Sequence, residues 1–136
     1  MILIVDSGST KTDWIALDNN GNELFSTQTL GLNPQMLSNE ILNERIKNNF
    51  DIYKNRKVVE KLFFYGAGCG VESTQNRILK VFRSIFSKSE FDIKEDTYAA
   101  VFSAVDEGKP SIVNIIGTGS NLSLIHISEP TRLSVI

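Results

Sequence analysis

Short apolar runs separated by polar turns dominate the start of the chain. Residues 1–5 are all apolar and rich in β-branched side chains, which predicts a buried strand that stops at Asp6. Residues 13–18 are again β-prone and close on the turn signal Asn-Asn-Gly-Asn at 19–22. A third alternating stretch follows at 23–29, so the pattern predicts three antiparallel strands joined by short turns.

The rest of the chain alternates between helical and extended periods. Apolar residues four or five positions apart predict amphipathic helices, and short apolar runs between them predict buried strands. This alternation favours an α/β fold, in which ligands bind at the carboxyl ends of strands. The predicted elements are a helix over 36–50, a polar link over 51–57, a strand over 58–65, a helix over 72–86, a strand over 90–93, a helix over 94–105, a strand over 111–116 and a segment over 122–127 able to pair as a strand.

The loop after the first strand carries the first candidate chemistry. Asp6 is followed by Ser-Gly-Ser-Thr-Lys-Thr at 7–12, which offers small residues, free backbone N–H groups, hydroxyls and one cation. Such a turn can hold phosphates. A Walker A loop is excluded, because that motif needs Gly before its Lys and a helix after it, whereas Thr10 precedes Lys11 and a strand follows. The remaining alternative is an ordinary hairpin with a polar loop.

Two later segments also end predicted strands with candidate chemistry. Residues 66–70 read Gly-Ala-Gly-Cys-Gly, and glycines there permit close backbone approach or positive φ values. The alternative is a tight strand-to-helix turn without a ligand. Asp96 stands at a strand-to-helix junction, where a carboxylate either caps the helix or accepts a proton from a substrate hydroxyl.

A weak internal repeat links the two ends of the chain. Residues 4–9 and 115–120 both place a strand before a small residue, a hydroxyl or small side chain, Gly and Ser. Two duplicated domains that clamp one nucleotide would leave such a repeat.

Composition limits the classes of function. The 136 residues are 41% hydrophobic and 22% charged, with a net charge of −2, as in ordinary globular proteins. This balance gives no basic footprint for nucleic acid or anionic membrane. The apolar N-terminal run meets Asp6 at once and has no basic leader, so we expect a cytoplasmic protein without a membrane segment. The single cysteine, Cys69, excludes an intrachain disulfide and a Cys-built metal site within one chain.

The first loop resembles the first phosphate loop of the ATPase superfamily of sugar kinases, heat-shock chaperones and actin. Asp6, Gly8, Thr10, Lys11 and Thr12 carry this resemblance, which is strongest to the N-acetylglucosamine kinase branch. The family fold would be α/β, with a ribonuclease H-like (actin-like ATPase) domain built on a mixed five-stranded sheet with flanking helices. The resemblance also implies ATP and Mg²⁺ as cofactors, an amino sugar as substrate, and admits a homodimer for the full-length form.

The resemblance assigns roles to individual residues, although Glu95 stands where the family usually has Asn, and Thr97 where it usually has Ala. Asn33 can contact the sugar or merely cap the helix predicted after it. The implied roles are the catalytic base for Asp96; nucleotide binding for Asp6, Gly8, Ser9, Thr10, Lys11, Thr12, Gly117, Thr118, Gly119 and Ser120; sugar binding for Asn33, Gly66, Ala67, Gly68 and Asp96; and Mg²⁺ binding, through water, for Asp6.

The same comparison divides the chain into three parts. Residues 1–108 would form the N-terminal lobe, and 109–121 would begin a truncated second lobe with its first strand. Residues 122–136 do not continue the kinase pattern, and 127–132 resemble translated sequencing-adapter sequence. We therefore expect this tail to be non-native, and His126 within it to have no catalytic role.

Two other members of the superfamily remain as alternatives. ATPase activators of 2-hydroxyacyl-CoA dehydratases hold an iron–sulfur cluster with two cysteines from each subunit, and this chain has only Cys69. A non-catalytic sugar sensor of the repressor type would carry an N-terminal helix-turn-helix, whereas a strand is predicted from residue 2.

Overall fold

A computed structural model describes residues 1–97 with their side chains and the backbone of residues 110–116 and 120–126. Among these residues no helix is long and apolar enough to cross a membrane. The elements are β1 (Ile2–Ser7), β2 (Lys11–Leu17), β3 (Glu23–Leu30), α1 (Asn39–Lys47), α2 (Phe50–Lys54), β4 (Lys61–Gly66), α3 (Glu72–Ile85), β5 (Glu90–Glu95), β6 (Pro110–Ile116) and β7 (Ser120–His126).

The first five strands form one mixed sheet in the order β3-β2-β1-β4-β5. β1 pairs antiparallel with β2, and β2 antiparallel with β3, as the two hairpin turns require. β4 lies parallel to β1 and to β5, because helical segments carry the chain back between them. The predicted α/β fold with a mixed five-stranded sheet and flanking helices is therefore confirmed.

The core lies between one face of this sheet and helices α1 and α3. Alternate residues of each strand point into it, and the helices add one apolar stripe each. The rings of Phe64 and Phe82 meet edge to face with centroids 5.1 Å apart, which joins β4 to α3. The fully buried apolar residues include Leu3, Val5, Trp14, Ala16, Leu32, Leu42, Ile46, Leu62, Phe64, Ile78, Phe82 and Phe86.

The helix predicted over 36–50 is shorter than expected. It begins at Asn39, because the side chain of Ser38 accepts the Ile41 N–H and caps it. The side chain of Asn49 then accepts the Ile52 N–H and starts the separate helix α2. The predicted polar link over 51–57 is therefore wrong in its first part, which is helical.

The fifth strand is longer than predicted, and its end bears on the site. β5 continues to Glu95, so the helix expected from residue 94 cannot begin there. Asp96 lies in the turn after the strand, and Thr97 is the first helical residue. The remainder of that helix lies outside the described residues. So do Gly117, Thr118, Gly119 and the tail after residue 126.

The strand predicted over 111–116 and the pairing of the segment after it are both present. β6 and β7 form a separate two-stranded antiparallel sheet, in which Ile116 pairs with Ser120.

Candidate functional site

The carboxyl ends of three parallel strands bring the predicted site residues to one edge of the sheet. Ser7, Gly66 and Glu95 are neighbours in register at the ends of β1, β4 and β5. The Ala67 N–H donates to the Ser7 carbonyl at 2.8 Å, and the Asp96 N–H donates to the Gly66 carbonyl at 3.1 Å. The loops that follow these strands are therefore fixed to one another through their backbones.

The loop between β1 and β2 is open to solvent. The Gly8 N–H donates to the Lys11 carbonyl at 2.9 Å, which closes the hairpin and leaves Ser9 and Thr10 at its exposed tip. The Lys11 side chain is 65% exposed, and its Nζ atom lies 4.0 Å from the Asp13 carboxylate. The tip thus presents hydroxyls and one cation outward, which suits an anionic ligand.

Thr12 supports this loop from inside. Its hydroxyl is fully buried, donates to the Leu30 carbonyl at 3.0 Å and lies 2.9 Å from the Ser7 hydroxyl. Ser7 in turn accepts the Leu32 N–H at 3.0 Å. The Thr12 side chain therefore faces the core, and the phosphate contact expected from its hydroxyl does not fit this geometry.

Asp6 and Asp96 lie close enough for the charge of Asp96 to act on Asp6. Asp6 projects from the sheet face opposite the helices, directly across from Asp13 in the β1–β2 ladder. Burial raises the pKa of Asp6, and the charges of Asp13 and Asp96 raise it further, while Lys11 lowers it. Burial also raises the pKa of Asp96, which backbone N–H groups, including that of Thr97, partly offset. Carboxylates with raised pKa values are typical of functional sites.

The loop after β4 adopts conformations that need glycine. Gly68 has a φ of 82°, and a Cβ atom there would lie 2.0 Å from Oδ1 of Asn33. At Gly66 a Cβ atom would lie 2.0 Å from Cε1 of Phe64 in the core. These contacts agree with both interpretations of the glycine loop, since a tight turn and a close approach are present together.

Asn33 does not cap a helix among the described residues. The cap of α1 is Ser38, and the Asn33 Oδ1 atom instead accepts the Gln35 N–H at 2.9 Å. The capping alternative for Asn33 is therefore wrong, and the side chain lies against Gly68 at the site edge.

Cys69 lies within the glycine loop, residues 66–70, and Glu95 lies next to it. Cys69 is fully buried, and burial, with smaller contributions from Asp96 and Glu95, raises the pKa of its thiol to about 12. It is therefore not a thiolate nucleophile near neutral pH. The Glu95 carboxylate lies about a van der Waals contact, 3.5 Å, from where a Gly70 Cβ would be. Burial and Asp96 raise the pKa of Glu95.

Four other charged residues with buried or structural contacts were not identified from sequence. Lys94 and Asp92 form an ion pair at 2.5 Å, with both side chains almost wholly buried on the face opposite the helices. Arg45 and Arg77 reach from α1 and α3 to backbone carbonyls of the segment after β3. Charged residues on alternating or helical polar faces predict solvent exposure, so the pattern gave no signal for any of them.

The same region offers few side chains that could bind a metal ion. Within the described residues there is no group of three or more His, Cys, Asp and Glu side chains arranged to hold a metal. Mg²⁺ is commonly bound by one or two carboxylates together with substrate phosphates, and the adjacent Asp6 and Asp13 fit that smaller requirement. Of residues 117–120, which are predicted to bind the nucleotide, only the backbone of Ser120, the first residue of β7, is described.

Comparison with known proteins finds similarity among solved structures. No family model matches the chain, and no curated protein matches it. Among the solved structures that resemble it is a Porphyromonas gingivalis protein provisionally assigned as an N-acetylglucosamine kinase, with a TM-score of 0.79 and 28% sequence identity. This chain and that structure share one fold. The similarity covers 95% of this chain and 46% of that one, so this chain spans about half of its neighbour's length.

Proposed function

We propose that the chain belongs to an ATP-dependent kinase that phosphorylates a hydroxyl of an amino sugar, most directly N-acetylglucosamine. The observation that carries this proposal is the position of Asp6 and Asp96 at one edge of the sheet, near the ends of two parallel strands, where the charge of Asp96 raises the pKa of Asp6. The similarity to a structure provisionally assigned as an N-acetylglucosamine kinase supports the same reaction.

The exposed loop between β1 and β2 would bind the nucleotide. Ser9, Thr10 and Lys11 present the polar groups, and Gly8 adds no side chain between them and the ligand. Mg²⁺ would be held by Asp6, directly or through water, and would neutralise charge on the phosphates. Thr12 would act indirectly, by holding the loop in place through its bond to the Leu30 carbonyl.

Asp96 would act as the general base on the sugar. Its carboxylate would accept the proton of the attacking hydroxyl while that oxygen forms a bond to the γ-phosphorus and the bond to the leaving ADP oxygen breaks. A raised pKa improves a carboxylate as a base near neutral pH. Gly66 lies beside Asp96, and Asn33 lies against Gly68 in the same loop, so Asn33 and residues 66–68 would bind the sugar.

The wider assignment follows the same superfamily. We propose a ribonuclease H-like, actin-like lobe at 1–108, and the order β3-β2-β1-β4-β5 supports this. A second lobe beginning at 109–121, the non-native origin of 122–136, a cytoplasmic location and a homodimeric full-length form remain predictions. Complete phosphotransfer is proposed for a protein with both lobes, since this chain spans 46% of its structural neighbour.

The iron–sulfur ATPase activator is the weaker alternative. Such a cluster takes two cysteines from each subunit, whereas this sequence has one cysteine, Cys69, which is fully buried.

Replacement of the base tests the proposal. In a protein carrying this chain with its second lobe, Asp96→Asn is expected to lower N-acetylglucosamine-dependent ADP formation by about a thousandfold. The Kd for MgATP should stay within about twofold, because the nucleotide would bind at the other loop. Asp51→Asn, on the surface of α2, is the matched control and should leave turnover unchanged. Near-normal turnover of the Asp96 variant would contradict the assignment.

A further inference from the structure

Two arginines from different helices hold the segment between β3 and α1, residues 31–38, which we call the strap. From α1, Arg45 Nη1 donates to the Gly31 carbonyl at 2.6 Å. From α3, Arg77 Nη2 donates to the Leu37 carbonyl at 2.8 Å, and its Nη1 donates to the Pro34 carbonyl. Arg77 Nη2 also donates to Oδ1 of Asn39 at 3.0 Å. The guanidinium of Arg77 thus ties the second half of the strap to the start of α1.

The strap is further ordered from within, around Asn33. The Asn33 carbonyl accepts the N–H groups of Met36 and Leu37, both at 3.1 Å. The Asn33 Oδ1 atom accepts the Gln35 N–H at 2.9 Å, which fixes the orientation of the amide. The amide nitrogen of Asn33 has no hydrogen-bond partner among the described side chains and backbone, so its two N–H donors are available at the site edge.

The strap lies directly against both loops of the candidate site. At its first residue a Cβ on Gly31 would lie 2.5 Å from the Ser9 carbonyl oxygen, and the Gly31 N–H donates to the Thr10 carbonyl at 2.9 Å. At Asn33 the side chain touches Gly68. One short segment therefore sets the separation between the exposed loop and the glycine loop.

We propose that Arg77 is a positioning residue for sugar binding, which fixes the strap so that the Asn33 amide presents its N–H donors to oxygen atoms of the substrate. This inference rests on the proposed function. The Arg77 guanidinium donates to two strap carbonyls and to the side-chain carbonyl of Asn39. The strap therefore has its binding conformation before the sugar arrives. Preorganisation of this kind raises affinity by reducing the ordering cost of binding.

The chemistry of arginine suits this role. Its planar fork can donate to several carbonyls at once, whereas lysine is a single point of positive charge on a flexible stem. Arg83, on the same helix, is exposed and makes no such contact among the described residues. Arg77→Gln and Arg83→Gln are therefore a matched pair, since both remove one positive charge from α3.

Binding measurements on the 136-residue chain test the proposal. Amide NMR titration with N-acetylglucosamine should shift the Gly68 and Asn33 signals, and Arg77→Gln should weaken that binding by about tenfold. Arg83→Gln should bind like the unsubstituted chain. The Kd for MgATP should stay within about twofold in both variants, which a general loss of folding would not permit.

Hydrogen exchange supplies the second readout. The N–H groups of Met36 and Leu37 should exchange at least about tenfold faster in Arg77→Gln than in Arg83→Gln, because local opening of the strap becomes easier. Should Arg77→Gln fail to fold, Asn39→Ala removes one contact of the guanidinium and is expected to weaken sugar binding by about two- to threefold.

Each outcome separates the two proposals. Unchanged sugar affinity in Arg77→Gln, or unchanged exchange of the strap, would overturn the positioning role while leaving the kinase assignment intact. Absence of any shift at Gly68 and Asn33 with the unsubstituted chain would overturn both the sugar site and the role of Arg77. MgATP binding in that same sample would show whether the nucleotide site also fails.

Discussion

The two loops that form the candidate site are built in opposite ways. The loop from Gly8 to Thr10 joins antiparallel strands, lies in solvent and offers side chains. The loop over 66–70 follows a parallel strand, is pressed between Phe64 and Asn33, and offers mainly backbone. The conformation of the first loop would depend on the ligand that it binds, whereas the conformation of the second is fixed by its contacts within the fold.

This difference has a physical origin in the sheet. A hairpin turn needs only its own closing hydrogen bond, so its tip can be polar and exposed. A parallel connection must return through a helix, so the strand end and the start of that helix meet inside the protein. We therefore expect substitutions on the parallel side to affect folding and those at the hairpin tip to affect ligand binding.

The largest difference is expected between two lysines. Lys94→Ala would leave the Asp92 carboxylate buried without its partner, and we expect it to lower the free energy of unfolding by about 3–5 kcal/mol. Lys11→Ala removes an exposed contact at 4.0 Å and should cost no more than about 0.5 kcal/mol. Urea denaturation measures both values.

A double variant sharpens this result. Asp92→Leu combined with Lys94→Met should recover most of the lost stability, since apolar residues can replace a buried ion pair. Equal losses of stability in Lys94→Ala and Lys11→Ala would contradict the expected difference between the parallel strands and the exposed hairpin loop.

The next effect concerns two glycines at equivalent strand ends. Gly66→Ala would place a Cβ 2.0 Å from the Phe64 ring, and we expect a loss of about 2–3 kcal/mol in the free energy of unfolding. At Gly8 the nearest atom to a Cβ is the Lys11 carbonyl oxygen, at 3.6 Å. Gly8→Ala should therefore change stability by less than about 1 kcal/mol. Thermal unfolding with calorimetry compares them, and a larger loss for Gly8→Ala would contradict the comparison.

The sequence predicted the strands well because their apolar runs and turn residues are local signals. Residues 1–5 and the turn at 19–22 correctly located the first hairpins. It predicted the ends of helices less well, since the caps at Ser38 and Asn49 depend on side-chain geometry that periodicity does not contain. The strand through Glu95 similarly depended on pairing with β4.

A smaller effect is expected for the hydroxyl beneath the exposed loop. Thr12→Val removes the bond to the Leu30 carbonyl and leaves Ser7 with one partner fewer, which should cost about 1–2 kcal/mol. Thr10→Val, at the exposed tip, should change stability by less than about 0.5 kcal/mol. Conversely, only Thr10→Val would remove a proposed contact to the nucleotide and so weaken MgATP binding directly. Chemical denaturation and nucleotide titration measure both effects. A larger loss of stability for Thr10→Val, or a larger loss of MgATP affinity for Thr12→Val, would contradict these roles.

The smallest effect is a pH dependence with opposite signs at two aspartates. The pKa of Asp6 is raised by burial, so its contribution to stability is present below the ordinary pKa and is lost as pH rises through the folded value. Asp6→Asn should therefore stabilise the protein at pH 7, by less than about 1 kcal/mol because the side chain is partly exposed, and should have no effect near pH 3.

Asp18, in the hairpin turn, provides the control of opposite sign. The N–H of Asn22 and other turn groups lower the pKa of Asp18, so its contribution is present at neutral pH and is lost on acidification. Asp18→Asn should therefore destabilise at pH 7. Stability curves against pH for both variants would contradict this account if they changed in the same direction.

The candidate site was only partly predictable from sequence. Asp6, Gly68 and Asp96 can be located from the sequence, since each ends or follows a predicted strand. Arg77 and Lys94 could not be located from the sequence. The hydrogen-bond partners of Arg77 are distant in the sequence, and Lys94 is buried on a strand face where the alternation predicts exposure. Thr12 was predicted to contact phosphate because it carries a hydroxyl within the polar loop. The alternating burial of residues along β2 shows that its side chain faces the core.

The proposed function depends on MgATP binding at the exposed hairpin loop, beside the ends of the parallel strands where the sugar would bind. Titration of the chain with ATP and paramagnetic Mn²⁺ in place of Mg²⁺ tests it most directly, through broadening of amide NMR signals near the metal. The account predicts selective broadening at Gly8, Gly66 and Thr97, with none at Gly21 in the distant hairpin turn. Broadening at Gly21 alone, or at none of these residues, would contradict it.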